Sequence, residues 1–586
     1  VSGLVAFTGP PDRELLDRMI RRLAHRGDFN CRNENASFRE TASGSVAVCE
    51  WRQWRAPGKI QTGVSDIGAA SWALSGFAFS DLPASPTAES LAEFRGSFSV
   101  ACLQDDQLTI ARDAHGCQSL FYGRVGNRWL IASEPKSITT EAGFVPRVRP
   151  AGVAQYLSFS FSPTRHSMLQ DLYQAEAGCL VRFRNEHEPE TQRYFCFEKW
   201  EPSEEDERTN ALDPADDRIW IDRTRQAIEQ SVAERMPDET PLVFLSGGLD
   251  SSIIAAEVAR QSSEPIKTFS IHFGKGYPNE LDFARAVADR IGSDHEEVLI
   301  RPRNFVPRLH QMIWHLDEPI GDPITQPNYE LAAHVRRHGS FVFNGEGGDP
   351  VFGGPKNLPM MMLHWYGGDL DANFREKAYL ASYRRGYEEW QRLLTDEFRE
   401  QIQPEQDLEQ ILSPFFRCGQ PRHFLNKLMA INIRLKGANL ILPKVDRMLA
   451  AHQLTPLSPL FDDRLTKLSF EMPTRMKLRS GIEKYVLKRA YEDLLPAEVI
   501  DRPKSGMRVP VHHWFQRRLF RRNELRSFAK RVFHRRAIEE AGIFRFERIN
   551  QLMSYETEEG PGRYGLRLWM LLTFEMWRRM VVAEKN

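Results

Sequence analysis

Leu242-Val-Phe-Leu-Ser246-Gly247-Gly248-Leu249-Asp250-Ser251-Ser252 decides the fold of the chain's larger half. Four consecutive apolar residues read as a buried strand, Ser-Gly-Gly as a turn, and the residues from Ser251 as a helix. Strand, glycine turn and helix N-terminus in that order make an anion site. The glycines let backbone approach a ligand closely, and the free N–H groups of the first helical turn attract negative charge. Ser246 and Ser251 add hydroxyl donors. Asp250 repels a bare phosphate and makes sense when Mg2+ stands between carboxylate and phosphate. No Gly-Lys-Ser/Thr follows, so the loop is not a Walker A loop. Taken alone, the run also reads as an ordinary glycine-rich turn with a capping Asp or Ser.

Outward from this turn, short apolar strands alternate with helices. A helix is predicted over about 219–235, strands at Thr268–His272, Val298–Ile300 and Ser340–Phe343, and another helix over about 280–291. That alternation predicts an α/β doubly wound parallel sheet, followed beyond Phe352 by a mostly helical part. Residues 1–196 differ in texture. Short β-type runs (Ser45–Cys49, Phe98–Cys102, Leu108–Ala111, Trp129–Ala132, Cys179–Phe183) are separated by turn signals. One helical pattern carries Leu15, Leu16, Met19, Ile20 and Leu23. These predict a layered α+β domain. Residues 197–217, charged and carrying two prolines, read as the linker to a second domain over 218–586.

Composition excludes several classes. A chain of 586 residues with formal net charge -1 gives no electrostatic case for nucleic acid. No apolar run approaches the ~18 residues that span a bilayer. The opening Val1-Ser-Gly-Leu-Val-Ala-Phe lacks the pattern of a secretion signal. Seven dispersed cysteines, without a Cys-x-x-Cys pair, read as reduced thiols of a cytoplasmic protein, and no cluster of Cys or His with metal-ligand spacing is expected.

The second constellation is Phe341-Val-Phe-Asn344-Gly345-Glu346-Gly347-Gly348-Asp349. It is again a strand ending in a glycine turn. Ligands of such sheets bind outside the carboxyl ends of the strands, so this loop is expected beside the first. Asp349 is then placed to join Asp250 on Mg2+, and Glu346 to face an attacking amine as base or orienting group.

Together the two turns resemble the synthetase domain of the class B asparagine synthetase family. The resemblance extends through His315–Pro323, Lys444-Val-Asp-Arg-Met448, Ile482-Glu-Lys484 and Arg502-Pro-Lys504-Ser-Gly506, covering nearly all of 219–515. It implies an ATP-dependent ligase that converts a carboxylate to an acyl-adenylate, with ATP and Mg2+ as cofactors. Leu245, Ile271, Asn344 and Gly345 are implied for adenosine. The turn Ser246-Gly247-Gly248 with Asp250 and Ser251 is implied for pyrophosphate and magnesium. Lys504, and secondarily Lys484, are implied to stabilise charge on the leaving pyrophosphate.

The N-terminal half resembles the family's glutaminase domain, an N-terminal nucleophile-hydrolase fold, at Leu23-Ala-His-Arg-Gly27, Ala111-Arg-Asp113 and Ala132-Ser-Glu134-Pro-Lys136. Its site departs from the pattern. Ser2 stands at the position of the nucleophilic cysteine, and Ser75-Gly76-Phe77 replaces the Asn-Gly-Glu that holds glutamine. Phe77 cannot accept a hydrogen bond from the substrate's ammonium group. The expectation is a degenerate, structural domain.

Family members with this loss include β-lactam synthetases and lasso-peptide macrolactam synthetases, in which an amine of the substrate attacks its own activated carboxylate. The resemblance therefore implies a small-molecule or peptide acid bearing, or accompanied by, an amine. A homodimer or a biosynthetic partner protein is left open. An ammonia-fed asparagine synthetase and a non-catalytic scaffold are the competing readings. The apolar insertion Pro355–Tyr366 reads either as a pocket wall or as a core helix.

Overall fold

A computed structural model describes the chain except residues 1, 28–37, 43, 51–59, 106, 185–186, 203–213, 355–356, 367–372, 383–385, 388, 404–407, 503–506, 517–522, 556–563 and 583–586. The N-terminal part stacks two six-stranded antiparallel sheets. The first contains β1 (Ser2–Thr8), β2 (Phe38–Thr41), β3 (Gly44–Glu50), β8 (Phe121–Val125), β9 (Arg128–Ala132) and β10 (Leu172–Gln174), in the order β10-β8-β9-β1-β3-β2. The second contains β4 (Ile60–Ile67), β5 (Ala70–Ala78), β6 (Gly96–Gln104), β7 (Gln107–Arg112), β11 (Cys179–Phe183) and β12 (Glu190–Arg193), in the order β12-β11-β7-β6-β5-β4. β1 is buried throughout because both its faces are covered. Val5 and Phe7 pack with Leu16, Met19 and Ile20 of the helix Arg13–Arg21, and Leu4 and Ala6 pack with Ala101 and Val181 of the other sheet. A strand covered on both faces needs no polar alternation.

The larger half carries five parallel strands, β13 (Leu242–Phe244), β14 (Lys267–His272), β15 (Asp294–Leu299), β16 (Phe341–Phe343) and β17 (Thr455–Leu457), in the order β15-β14-β13-β16-β17. Leu242 and Val243 belong to different core clusters, as expected of a sheet with helices on both faces. The architecture is the expected one: antiparallel layers, then a parallel sheet, then helices.

Particular elements differ from the reading of the sequence. The first helix of the larger half runs Pro214–Ala233 and so begins inside the stretch taken as linker. β15 starts at Asp294, because its polar run Asp294-His-Glu-Glu suits an edge strand. β17 was not anticipated, since Thr-Pro-Leu is short and its Pro456 argues against a strand. The insertion folds as the helix Asn357–Tyr366. Met360 is buried and Leu358 and Pro359 line a cavity, while Trp365 and Tyr366 are 60% and 80% exposed.

The sheet layers and the larger half are joined by buried charge. Arg26 pairs with Glu134 and, at 2.6 Å, with Asp446. Lys136 pairs with Glu134 and, at 3.2 Å, with Asp317. Burial alone raises a carboxyl's pKa, but His25, Lys136 and Arg26 together hold Glu134 well below the ordinary carboxylate range. Arg112 donates to the carbonyls of Gln118, Gly116 and Ala175 and, across the interface, to that of Ala438.

Candidate active site

The two glycine turns meet at the carboxyl edge of the sheet. β13 ends at Phe244, and the helix Leu249–Gln261 starts after Ser246-Gly247-Gly248. Gly247 takes φ +74, and a side chain there would meet the backbone of Ala284 at 2.7 Å, so this position serves the turn. Ser246 and Ser251 hydroxyls lie 3.0 Å apart, and Ser251 Oγ accepts from Ser246 N at 3.1 Å. Ser252 Oγ donates to Gly248 O. The hydroxyls thus pin the loop on itself.

β16 leads into the second loop. Gly345 abuts the first loop so closely that a Cβ there would lie 2.4 Å from Ser251 N and 2.6 Å from its Cα. A Cβ on Gly348 would lie 2.2 Å from Asp250 Oδ1. At Gly345 the contact is with backbone, so glycine is required there, whereas a side chain at position 348 would press on the Asp250 carboxylate. The approach brings Asp250 and Asp349 to one cation. Lys484 Nζ lies 2.7 and 2.6 Å from the two Asp250 oxygens and is also paired with Asp349. Lys484 is buried, and at φ 56, ψ 38 it holds a left-handed conformation that non-glycine residues seldom adopt. Such strain persists where surrounding structure enforces it.

Beside this cluster opens a cavity of about 370 Å³, within the range of about 300–1,000 Å³ typical of ligand pockets. Of the residues singled out in the sequence, Leu245, Ser246, Gly248, Asp250, Ser251, Ile271, Asn344, Gly345, Glu346 and Asp349 line it; Gly247 does not. Asn344 Oδ1 accepts from Ser458 Oγ and from Glu346 N, while its buried Nδ2 has no protein acceptor among the described residues. A second cavity of about 440 Å³ adjoins Lys484, with Lys488, Asp501 and Arg502 in its wall. Lys504 lies outside the described residues.

Several lining residues were missed as site residues. Lys444 is buried and pairs with Asp322 at 3.0 Å inside the main cavity, which Asn328 and Lys436 also line. Lys436 lies on a π-helical stretch, Asn432–Ile441, a local geometry often found at functional sites. The signal available in sequence was that Asp322 and Lys444 lie inside His315–Pro323 and Lys444–Met448, segments already singled out. The segment His315–Pro323 is itself divided between two surroundings. Asp322 reaches the cavity, whereas Asp317 and Glu318 turn to the N-terminal layers, on Lys136 and Ser167.

Ser2 and Ser75 meet between β1 and β5, and Phe77 follows two residues after Ser75 on β5. Ser2 is 5% exposed, its Oγ lies 2.9 Å from Ser75 Oγ, and it accepts from Gly76 N at 2.9 Å. Phe77 is buried against Phe79, with ring centroids 5.6 Å apart.

Two strand-end glycine loops, with carboxylates gathered at one cation beside a pocket, form a candidate nucleotide site at the carboxyl edge of a parallel sheet. Comparisons with known proteins supply the class. The profile described as Asparagine synthase matches residues 223–579, and that described as Glutamine amidotransferase domain matches 85–195. The chain belongs to the asparagine synthase family. Asparagine synthetase [glutamine-hydrolyzing] 1 of Bacillus subtilis (strain 168) is 25% identical over 527 residues, covering 85% of this chain and 79% of its own. A protein of Mycobacterium tuberculosis (strain ATCC 25618 / H37Rv), provisionally named asparagine synthetase [glutamine-hydrolyzing], is 27% identical over 534 residues, covering 85% and 78%. The Homo sapiens asparagine synthetase [glutamine-hydrolyzing] is 28% identical over 297 residues, covering 48% and 42%.

Proposed function

We propose that this ligase forms an amide from a carboxylate and an amine of a larger, amine-bearing or peptide substrate, without glutamine, as in macrolactam formation. The carboxylate oxygen attacks the α-phosphorus of ATP, giving acyl-adenylate and pyrophosphate. The amine nitrogen then attacks the acyl carbon, forming the C–N bond, expelling AMP and releasing one proton. Leu245, Ile271, Asn344 and Gly345 hold adenosine, the free Asn344 N–H supplying a donor. Ser246, Gly248 and Ser251 hold the phosphates. Glu346, half-buried at the cavity wall, orients or deprotonates the amine. Lys484 and Lys504 supply positive charge to the departing pyrophosphate.

The observation that carries this reading is the shared contact of Asp250 and Asp349 with the single ammonium of Lys484. Two carboxylates from separate loops around one cationic group suit a hard divalent ion, and Asp250 and Asp349 would hold Mg2+. Bound there, the ion supplies neutralising charge for the polyphosphate. Glutamine independence rests on Ser2, buried and hydrogen-bonded, and on Phe77 in place of a carboxylate. The supply of amine then falls to the substrate.

The test is product analysis with ATP and Mg2+ across three amine sources: glutamine, ammonium with aspartate, and peptides carrying both a free amine and a carboxylate. Loss of water from a peptide, with one AMP formed per product, is expected. Asparagine from ammonium at comparable rates would replace the peptide reading with a plain synthetase. Glutamate release coupled to amide formation would overturn glutamine independence.

A further inference from the structure

On the edge strand of the parallel sheet, three side chains that the ligase site does not use converge. Glu296 stands on β15, His334 on the helix Thr325–Val335, and His338 one turn later. No cluster of Cys or His with metal-ligand spacing was expected from the sequence, yet His334 and His338 stand four residues apart, a spacing that turns both imidazoles to one side. Their rings lie 5.9 Å apart at 37°, and Phe269 of β14 lies 5.2 Å from the ring of His338.

His334 Nε2 is 2.8 Å from Glu296 Oε2, and His338 Nε2 is 3.4 Å from Glu296 Oε1. All three potential ligand atoms lie within 4.8 Å of one another. A tetrahedral ion with metal–nitrogen bonds of about 2.05 Å sets its ligand atoms about 3.3 Å apart, so small rotamer changes meet that geometry. The side chains are 23–34% exposed, open to an ion from solvent.

We propose that Glu296, His334 and His338 bind a zinc-class divalent cation. Two imidazoles and one carboxylate are a ligand set for such metals, with a fourth position left to water. The ion would clip the helix to the exposed edge strand. The same helix carries Asn328 and Leu331 in the wall of the nucleotide cavity, so the clip steadies one side of that wall. One neighbour opposes it. Arg337 Nη2 lies 2.6 Å from His334 Nδ1, the nitrogen that must carry the proton when Nε2 ligates, so exposed Arg337 must swing aside.

The test uses the full, tag-free chain, stripped with chelator and titrated with Zn2+ alone against a chromophoric competitor. Co2+ serves in parallel to report coordination by its visible spectrum. Wild type is expected to bind one zinc more than the His334→Ala/His338→Ala double variant, and Glu296→Gln to weaken binding at least about tenfold. Arg337→Ala is expected to bind at least as tightly as wild type. Unchanged circular dichroism without metal shows that each variant is folded. Equal zinc uptake by wild type and double variant, whether one ion or none, would overturn the site and leave the trio as a hydrogen-bonded surface cluster.

Discussion

Gly345→Ala isolates the contact between the two loops. The new Cβ would sit 2.4 Å from Ser251 N, 2.6 Å from Ser251 Cα and 2.7 Å from Asp250 C, all backbone atoms that no side-chain rotation can move. Ordinary contact begins near 3.4 Å, so the loops must part by about 1 Å. Overpacking of this kind costs about 1–3 kcal/mol, a modest fall in Tm. Its catalytic effect should be larger, because displacing reacting groups by about 1 Å costs on the order of a hundredfold in rate. The assay is ATP–pyrophosphate exchange with an acid that supports exchange in wild type, alongside thermal melts. Gly419→Ala, at an exposed glycine with nothing within 4 Å of the added Cβ, is the control. Exchange within about threefold of wild type in folded Gly345→Ala would refute the idea that loop apposition positions the nucleotide.

Removing the shared cation by Lys484→Met leaves Asp250 and Asp349 opposed in a mostly buried site. A loss of about 3 kcal/mol is expected in EDTA, with partial recovery in Mg2+; equal losses in both conditions would contradict a common ion site. Arg26→Ala strands Asp446 and weakens the charge around Glu134, at a cost of about 3–5 kcal/mol in denaturant unfolding; a change below about 1 kcal/mol would remove this cluster's role in joining the halves. Burial and neighbouring Asp462 push Asp463, which lies 3.4 Å from His115 across the interface, from 3.8 to about 7. The folded state keeps this proton where the unfolded chain has lost it, so the group's stabilisation is complete below about pH 4 and lost as pH rises through about 7, by at most about 4 kcal/mol. Asp463→Asn should flatten that part of the Tm–pH curve; an unchanged slope would show that another group carries it. Ser2→Cys should release no glutamate from glutamine above the wild-type level, and measurable hydrolysis would show a working pocket around residue 2.

The parallel sheet was legible because Leu242–Leu245 and Phe341–Phe343 are apolar runs ended by glycine, a pattern that local chemistry alone produces. Lys484 was visible only as a secondary candidate. Its role depends on meeting Asp250 across 234 positions, which no local pattern encodes. Thr455–Leu457 escaped for the opposite reason: a proline-bearing triplet becomes a strand only through its pairing with Phe341–Phe343. Glu134-Pro-Lys136 was read correctly as belonging to the glutaminase-like half. The partners that give it a role, Arg26 and Asp317, become evident only once both halves are folded together. The histidine pair at 334 and 338 was in plain view, but its third member came from another strand.

The most direct measurement is an experimental structure of the chain with Mg2+ and α,β-methylene-ATP. The account predicts the polyphosphate between Ser246–Ser251 and Gly345–Asp349, with Asp250 and Asp349 turned to the ion. A nucleotide bound elsewhere, or both carboxylates still closed on Lys484 with the analogue bound, would contradict it.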